Sequence, residues 1–473
     1  MQGIMAMQTI NSLVTDRSLR RRLRVHLSIL GTTLSLFALL GCAKEADYEK
    51  QYKWGFRNIQ NEVVIDPQYD SVRPFSQGLA AVYSEGEGWG YIDKAGATII
   101  PMQYDEAGIF NKDGLAVVKP RGELEKKYRE EEVHYVNRSG NTVLALKGQR
   151  AGNFHNGVAW VRKYIGRKRS GTIPGSSIRM ARSSPVYSWG LIDKSGNYLV
   201  PHIEDLDDKR RIWDVEPWSD GLSVIRRDRT GYMNTAGEMV IPCRYEYAHS
   251  FSHGRAFVKS GNDIWSVIDR KGRTLFAQLP GGVKFKPTGK GIFTNHLAPV
   301  TWTRDNAKYI AYINSRGKFA FPTDGMRLHR IRNYREGLAQ VEVQTDGLSE
   351  KIGFIDVKGT WVIDPAFALA GDFHVVDRGK RYKERKRVAW AIPWFEYNFW
   401  DVMSDLGVAI LGMHEKTAER KFGYIDSSGD WIIQPETTVV HNARRNKAES
   451  MSAVDQGLYD FSEGLVAFPS IAP

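Results

Sequence analysis

Residues 89–101 read WGYIDKAGATIIP, and residues 189–201 repeat the phrase as WGLIDKSGNYLVP. Each copy holds a short apolar strand, a four-residue turn and a second apolar strand that ends at proline. Asp93 opens the first turn, where its side chain can bond the backbone ahead of it, and Gly96 closes the turn, where a positive φ is needed. The stretch therefore predicts a β-hairpin that the chain uses more than once.

The hairpin recurs in degraded form along the chain. Its first strand occurs nine times, as WGFRN from Trp54, WGYID from Trp89, HYVN from His134, WGLID from Trp189, GYMN from Gly231, WSVID from Trp265, AYIN from Ala311, GFID from Gly353 and GYID from Gly423. The clearest turns join Asp93 to Gly96, Asp193 to Gly196, Asp269 to Gly272, Asp356 to Gly359 and Asp426 to Gly429. Because Asn replaces Asp in other copies, we interpret these acids as turn formers and not as calcium ligands.

Two further strand patterns complete each unit. A β-branched strand that usually ends at proline follows the turn, as in VVIDP from Val63 and MVIP from Met239. An aromatic residue, a glycine and an alternating strand come next, as in FSQGLAAV from Phe75. Each unit thus supplies about three short antiparallel strands and no helix, and it must stack on its neighbours to bury its apolar face.

The order and type of these residues resemble the WG-repeat proteins of bacteria, over residues 54–468. The resemblance implies an all-β repeat array, arranged as a propeller-like ring or as two packed β arrays, with an open β-solenoid as the alternative. Residues 54–58 lack an upstream partner strand and residues 461–468 lack a downstream one. Pairing these two segments would close the array and remove two exposed sheet edges.

The first 41 residues have the pattern of an export signal. Five arginines between Arg17 and Arg24 precede an apolar run over residues 25–40, which ends in LLGC at Cys42. LLGC resembles the lipobox of bacterial lipoproteins, which implies cleavage before Cys42 and lipidation of that cysteine. We therefore expect a signal peptide over 1–41, a lipid-anchored tether over 42–53 and a repeat domain over 54–473. Ala43 would suit sorting to the outer membrane of a Gram-negative host.

The charge and motif content of the sequence limit the classes of partner and cofactor that are expected. The chain has a formal net charge of +12, and removing residues 1–41 takes away five arginines and Asp16, which leaves 12 − 4 = +8. In an exported protein this basic excess favours anionic envelope surfaces or acidic glycans over nucleic acid. The sequence holds no Gly-rich phosphate loop with lysine, no His-Glu-x-x-His, no Gly-x-Ser-x-Gly and no metal-spaced Cys/His set. We therefore expect no cofactor and no metal site.

Three segments interrupt the period, near residues 164–188, 377–401 and 436–457. The second combines basic and aromatic residues, which either plug the core or form a ligand platform, because aromatics beside arginines are typical of interfaces and of sugar stacking. The candidate binding residues are Arg385, Arg387, Trp390, Trp394, Tyr397 and Trp400.

These observations favour a non-catalytic, lipid-anchored protein of the cell envelope whose repeat scaffold binds another protein or a polysaccharide. The alternative is an envelope glycan hydrolase, which needs two carboxylates about 5 to 10 Å apart. Its acids would come from the 377–405 insertion, where Glu396, Asp401 and Asp405 are the candidates.

Overall fold

The computed structural model describes residues 52–122, 132–169, 183–304, 307–323, 326, 328–345, 349–377, 385–393, 420–439, 462–463 and 465–471. Over these residues the chain forms strands and turns and no α-helix, so the predicted all-β class is confirmed. Within the same residues, no helix has the length and apolar character needed to cross a membrane. Residues 52–471 make one compact unit by themselves.

The strands are short and numerous. In chain order they are β1 (Tyr52–Asn58), β2 (Val63–Tyr69), β3 (Ser71–Val72), β4 (Leu79–Ser84), β5 (Gly88–Asp93), β6 (Thr98–Ala107), β7 (Leu115–Pro120), β8 (Glu132–Asn137), β9 (Thr142–Lys147), β10 (Gln149–Ala151), β11 (Val158–Arg169), β12 (Ser183–Asp193), β13 (Tyr198–Val200), β14 (Asp214–Val215), β15 (Leu222–Arg226), β16 (Thr230–Asn234) and β17 (Met239–Tyr245). They continue as β18 (Tyr247–Ala248), β19 (Arg255–Ser260), β20 (Ile264–Asp269), β21 (Thr274–Phe276), β22 (Lys286–Pro287), β23 (Leu297–Arg304), β24 (Ala307–Asn314), β25 (Leu328–Ile331), β26 (Leu338–Thr345), β27 (Ser349–Asp356), β28 (Trp361–Ala370), β29 (His374–Asp377), β30 (Arg385–Pro393), β31 (Arg420–Asp426), β32 (Trp431–Val439) and β33 (Leu465–Ile471).

The described strands form seven antiparallel sheets, and dividing the two largest sheets at β6 and β28 gives nine repeating units. Unit 1 contains β33, β1 and β2; unit 2 contains β3 to β6; unit 3 contains the end of β6 and β7 to β9; unit 4 contains β10 to β13; unit 5 contains β14 to β17; unit 6 contains β18 to β21; unit 7 contains β22 to β24; unit 8 contains β25 to β28; and unit 9 contains the end of β28 and β29 to β32. Most units have four strands and not the three predicted. The additional strand is a segment of two to four residues, such as Ser71–Val72 or Leu328–Ile331, which is too short to show a period in the sequence.

The glycine of the WG pair is required by close packing inside the unit. A Cβ on Gly90 would lie 2.7 Å from Ile100 O and 2.9 Å from Met102 N, both on the backbone of the next strand. The strand register shifts at this point, between Trp89 and Tyr91. The same close approach of strand backbone occurs at Gly55, Gly231, Gly353 and Gly423. Glycine at this position therefore lets the proline-ended strand bulge against its neighbour.

A tyrosine from each of several units anchors the following unit. Tyr91 of unit 2 lies with its ring 4.9 Å from the ring of Phe110 in unit 3, and its hydroxyl donates to Gly108 O at 2.8 Å. The same pairing of a ring contact with a hydroxyl-to-carbonyl bond occurs for Tyr135 with Phe154 and Gly152, for Tyr232 with Phe251 and His249, and for Tyr312 with Tyr334 and Arg332. Burial raises the pKa of each of these four tyrosines. The apolar face of one unit is thus buried by the next.

The last unit in the chain packs on the first. β33 pairs with β1 along its length, from Tyr52 opposite Ile471 to Asn58 opposite Leu465. Tyr424 of unit 9 shares a buried cluster with Trp54 of unit 1, and that cluster continues into unit 2. With the clusters between the other consecutive units, this contact makes the nine described units a closed cycle. The pairing that the sequence suggested for the chain ends is present, and the open solenoid is not.

The three interrupting segments are placed in part. Residues 158–169 and 183–193 are the arms of one extended hairpin, β11 with β12, so the first segment lengthens two strands. In the second segment, Arg385–Pro393 is β30, which pairs with β31 as a regular strand of unit 9. The described part of the 377–401 segment therefore belongs to strands of unit 9. Its sequence RVAWAIP alternates like the strands at the same position in other units but lacks their Gly-Leu signature. The third segment, 436–457, is described only to Val439, within β32.

Candidate functional site

The repeated acids of the turns are bound to their own backbone. Asp93 Oδ1 accepts hydrogen bonds from the backbone N–H groups of Ala95 and Ala97, both at 2.9 Å, and Gly96 has a φ of 85°. Asp193, Asp269, Asp356 and Asp426 accept in the same pattern, and Gly196, Gly272, Gly359 and Gly429 have φ values between 77° and 92°. Asn137 and Asn234 make the same bonds through their amide oxygens. The arrangement makes turns and does not gather carboxylates into a site.

The candidate binding residues of the second segment are only partly described. Arg385, Arg387 and Trp390 lie on β30, where Arg387 is opposite Val375 and Trp390 is opposite Tyr424. Trp394, Tyr397 and Trp400 lie outside the described residues, as does Cys42. The described backbone places three of the six residues along one strand of unit 9, and the aromatic platform stays a prediction.

A cleft of about 590 Å³ lies where units 7, 8 and 9 meet. One wall is the connection between β22 and β23, around Lys290. A second wall is the connection between β25 and β26, over residues 332–335, and Asp372 of unit 9 completes the lining. Connections between strands of a rigid scaffold are common places for binding sites. The volume is in the range of about 300 to 1,000 Å³ found for small-ligand pockets.

Buried contacts hold the wall that carries Lys290. Asn333 is buried and uses its side-chain amide twice: its Oδ1 accepts from Lys290 N at 3.0 Å, and its Nδ2 donates to Ile292 O at 2.6 Å. Gly291 has a φ of 60°, and a Cβ there would run into the ring of His249 in unit 6. The backbone that carries Lys290 is thus held between His249 of unit 6 and Asn333 of unit 8.

The cleft is cationic. Its lining includes four basic side chains, those of Lys290, Arg330, Arg332 and Arg335, against the single carboxylate of Asp372. Arg335 Nε lies 3.7 Å from Asp372 Oδ2, and Arg330 lies 3.6 Å from Glu342 outside the cleft. Within the described part of the chain, the exposed side chains of Lys290 and Arg332 form no ion pair. Two positive charges therefore face solvent without a compensating acid.

Beside the cleft, His329, Glu342 and Glu350 place one potential metal-ligand atom each within 4.8 Å of one another. His329 Nε2 lies 3.0 Å from Glu350 Oε1. Burial raises the pKa of Glu342, and the hydrogen bond with Glu342 lowers the pKa of Glu350. These residues could hold a divalent cation, but Arg330, 3.6 Å from Glu342, already supplies a counter-charge. The cluster is explained as an ion-pair network.

Sequence reasoning missed both the cleft and the cluster. Lys290, Arg332 and Asp372 are separated by about 40 residues each, in three different units. His329, Glu342 and Glu350 lie on or beside three antiparallel strands, and only their register brings the side chains together. One usable signal was a unit that departs from the repeat: unit 7 extends the usual FxxG connection to TGKGIFTNH over residues 288–296.

Six segments of the chain match the family described as WG containing repeat: residues 54–86, 89–122, 135–164, 231–262, 352–374 and 422–436. These segments are WG-containing repeats. The resemblance predicted from the turns, prolines and glycines is therefore confirmed. The first WG repeat starts on β1 of unit 1 and ends just after β4 of unit 2, so one sequence repeat spans two structural units.

Solved structures similar to the chain have low sequence identity. They include the computationally designed Ika8 protein (12% identity, TM-score 0.35, covering 67% of this chain and 92% of that one) and BamB from Moraxella catarrhalis (10%, 0.32, 61% and 88%). TolB from Acinetobacter baumannii is similar as well (12%, 0.25, 65% and 76%). No curated protein matches the chain.

Proposed function

We propose that the chain is a non-catalytic, lipid-anchored cell-envelope protein whose WG-repeat scaffold binds another protein or a polysaccharide. The observation that carries the binding role is the use of the recurring polar residues. The repeated Asp and Asn side chains are committed to turns, and the repeated tyrosines are committed to contacts between units. What recurs in the WG repeats therefore builds a rigid support, and connections that depart from the repeat are free to bind.

The anchor is proposed from the sequence alone, because residues 1–51 lie outside the described residues. Arginines before an apolar run that ends at LLGC support export and lipidation of Cys42. The proposed location is a membrane of the envelope, and the outer membrane if the host is Gram-negative. The proposed partners are the membrane, through the lipid on Cys42, and an envelope protein or polysaccharide, but not nucleic acid.

The hydrolase alternative depends on Glu396, Asp401 and Asp405, which all lie outside the described residues.

Substitution of the lipidation site tests the anchor. We expect Cys42→Ser to leave the protein at its full-length mass and unlabelled by radioactive palmitate, because the acyl acceptor is gone. Cys243→Ser is the matched control: Cys243 is partly buried, burial raises the pKa of its thiol, and this variant should be processed and labelled normally. Normal maturation of Cys42→Ser would show that the chain is not a lipoprotein.

The binding role is tested by retention. The mature chain, immobilised and incubated with solubilised envelope from its own cell, should retain a defined protein or a glycan fraction that survives washing. A heat-unfolded sample of the same chain is the control for adhesion to exposed apolar surface. Equal retention by both samples, or none by the folded one, would contradict the proposal.

A further inference from the structure

We propose that the cleft between units 7, 8 and 9 binds an anionic segment of an envelope polysaccharide, with Lys290 and Arg332 contacting its carboxylate or phosphate groups. This inference rests on the proposed binding function and names the ligand class and the site. The two cations come from separate connections, one from unit 7 and one from unit 8, and both line the same cavity.

Charge is the first argument. Among the basic residues of the lining, Arg335 has Asp372 within 3.7 Å and Arg330 has Glu342 within 3.6 Å. Lys290 and Arg332 lack an acidic partner in the described part of the chain, so an anion placed between them would meet two uncompensated charges. Arginine binds planar carboxylate or tetrahedral phosphate oxygens through two N–H groups, and lysine adds a point charge.

Preorganisation is the second argument. Asn333 fixes the backbone of the unit 7 wall through both ends of its side-chain amide, and it belongs to the unit 8 wall that also carries Arg332. His249 closes off the other side of Gly291. The two cations are therefore held on backbones that are tied to each other, which reduces the entropy lost when a ligand binds.

Size decides between ligand classes. A cavity of about 590 Å³ accommodates a few residues of a chain-like ligand. A typical protein partner instead needs about 800 Å² of surface on each side. A short acidic stretch of a polymer fits this space better than a folded protein does. The basic excess of the chain would help to draw such a polymer in.

Direct titration tests the inference on the mature chain in detergent. The probes are an oligogalacturonate for carboxylate, a phosphomannan oligosaccharide for phosphate, a dextran oligosaccharide as the neutral sugar and oligoglutamate as an acidic peptide. We expect measurable binding of one or both anionic oligosaccharides, none of dextran, and weaker binding as salt rises from 50 to 500 mM. The two anionic arms distinguish carboxylate from phosphate recognition.

The decisive variant is Lys290→Ala with Arg332→Ala. Its matched control is Arg229→Ala with Lys271→Ala, which removes two exposed charges from units 5 and 6 and so gives the same net charge. We expect the cleft variant to bind at least tenfold more weakly and the control less than twofold more weakly. Lys290→Arg with Arg332→Lys keeps both charges and should stay within about threefold of the unchanged chain. Unchanged thermal unfolding would show that all three variants fold.

Several outcomes would overturn the inference: no binding of either anionic oligosaccharide, equal losses in the cleft and control variants, or preference for oligoglutamate. Failure here and failure of the proposed function remain distinguishable. If envelope protein is retained while neither anionic glycan binds, the binding role stands and the glycan assignment is wrong. If the glycan binds and Cys42→Ser matures normally, only the anchor is wrong.

Discussion

His202 is a partly buried histidine beside the last strand of unit 4. It follows β13 in unit 4, its Nε2 lies 3.1 Å from Gln149 Oε1, and its Nδ1 is buried without a hydrogen-bond partner among the described residues. If Nε2 donates to Gln149, the neutral ring carries its proton on Nε2. A second proton would then place a charge on buried Nδ1. Burial accordingly lowers the pKa of His202 to about 4.

That lowered pKa predicts a loss of stability in mild acid. The unfolded chain binds a proton at this histidine near pH 6.5, and the folded chain does so only near pH 4. The contribution of the neutral ring is therefore fully present above pH 6.5 and is lost as the pH falls towards 4. The loss is on the order of 1 to 3 kcal/mol in the free energy of unfolding.

Urea unfolding at pH 7 and pH 4.5 measures this effect. We expect the difference in unfolding free energy between the two pH values to be smaller in His202→Gln than in the unchanged chain. His296→Asn, which changes an exposed histidine, is the control and should leave that difference as it was. An equal pH dependence in His202→Gln and the unchanged chain would rule out His202 as its source.

At the scale of the strand, the glycine of the WG pair and the proline of the following strand occur together. Units 1, 2, 4, 5, 8 and 9 have both, with the glycines at Gly55, Gly90, Gly190, Gly231, Gly353 and Gly423 and the prolines at Pro67, Pro101, Pro201, Pro242, Pro365 and Pro435. Units 3 and 6 have His134 and Ser266 at the glycine position and lack the proline at the equivalent point, whereas unit 7 has Ala311 together with Pro322. The structure explains this pairing, because proline gives up a ladder bond where glycine admits the bulge.

This contact predicts that Gly90→Ala is destabilising although alanine is the smallest possible change. The added Cβ would lie within 2.9 Å of two backbone atoms on β6, which cannot move as a side-chain tip can. We expect the free energy of unfolding to fall by about 1 to 3 kcal/mol, the usual cost of overpacking.

Gly261→Ala is the matched control, because Gly261 is exposed and the nearest atom to its added Cβ is a glutamate oxygen 3.7 Å away. It should change the unfolding free energy by less than about 0.5 kcal/mol. Chemical denaturation of both variants gives the comparison, and equal midpoints would show that the bulge does not need glycine.

The parts of the fold that depend on interactions between residues close in the sequence could be predicted. The parts that depend on contacts between residues far apart in the sequence could not. Turn acids and alternating strands act within a few residues of sequence, so the all-β class and the repeated unit could be inferred directly. The role of Gly90 depends on a strand that folds back beside it, and the cleft depends on Lys290 and Arg332 from separate units. Neither contact leaves a periodic trace in a single sequence. The Gly–Pro co-occurrence was a visible sign of the first.

At the scale of the whole molecule, closure of the cycle depends on the last strand. β33 supplies Leu465, Val466 and Ala467 to the cluster that joins units 9, 1 and 2. Ser462 donates to the carbonyl of Phe75, the bond that Ser76 makes with the carbonyl of Phe110 one unit further on. Glu463 accepts from Gly78 N at 3.0 Å, as Asp113 accepts from Gly157 N. The chain ends thus use the same contacts as any other junction between units.

A closed cycle predicts that the position of the chain ends can be moved. Tyr52 lies opposite Ile471 in antiparallel register, so an Asn-Gly linker can join them as an ordinary two-residue hairpin. New ends placed between Gly261 and Asn262 would fall in an exposed turn. We expect this circular permutant of residues 52–471 to give the β-sheet circular dichroism spectrum and a melting temperature within a few degrees of the unpermuted chain.

Removing residues 462–471 instead should lower the unfolding free energy by roughly 3 to 6 kcal/mol, because the buried Leu465 and Val466 are lost and the edge of β1 is uncovered. An open array would respond the other way: it would tolerate loss of its last strand as fraying, and it would be strained by a link between ends that do not meet.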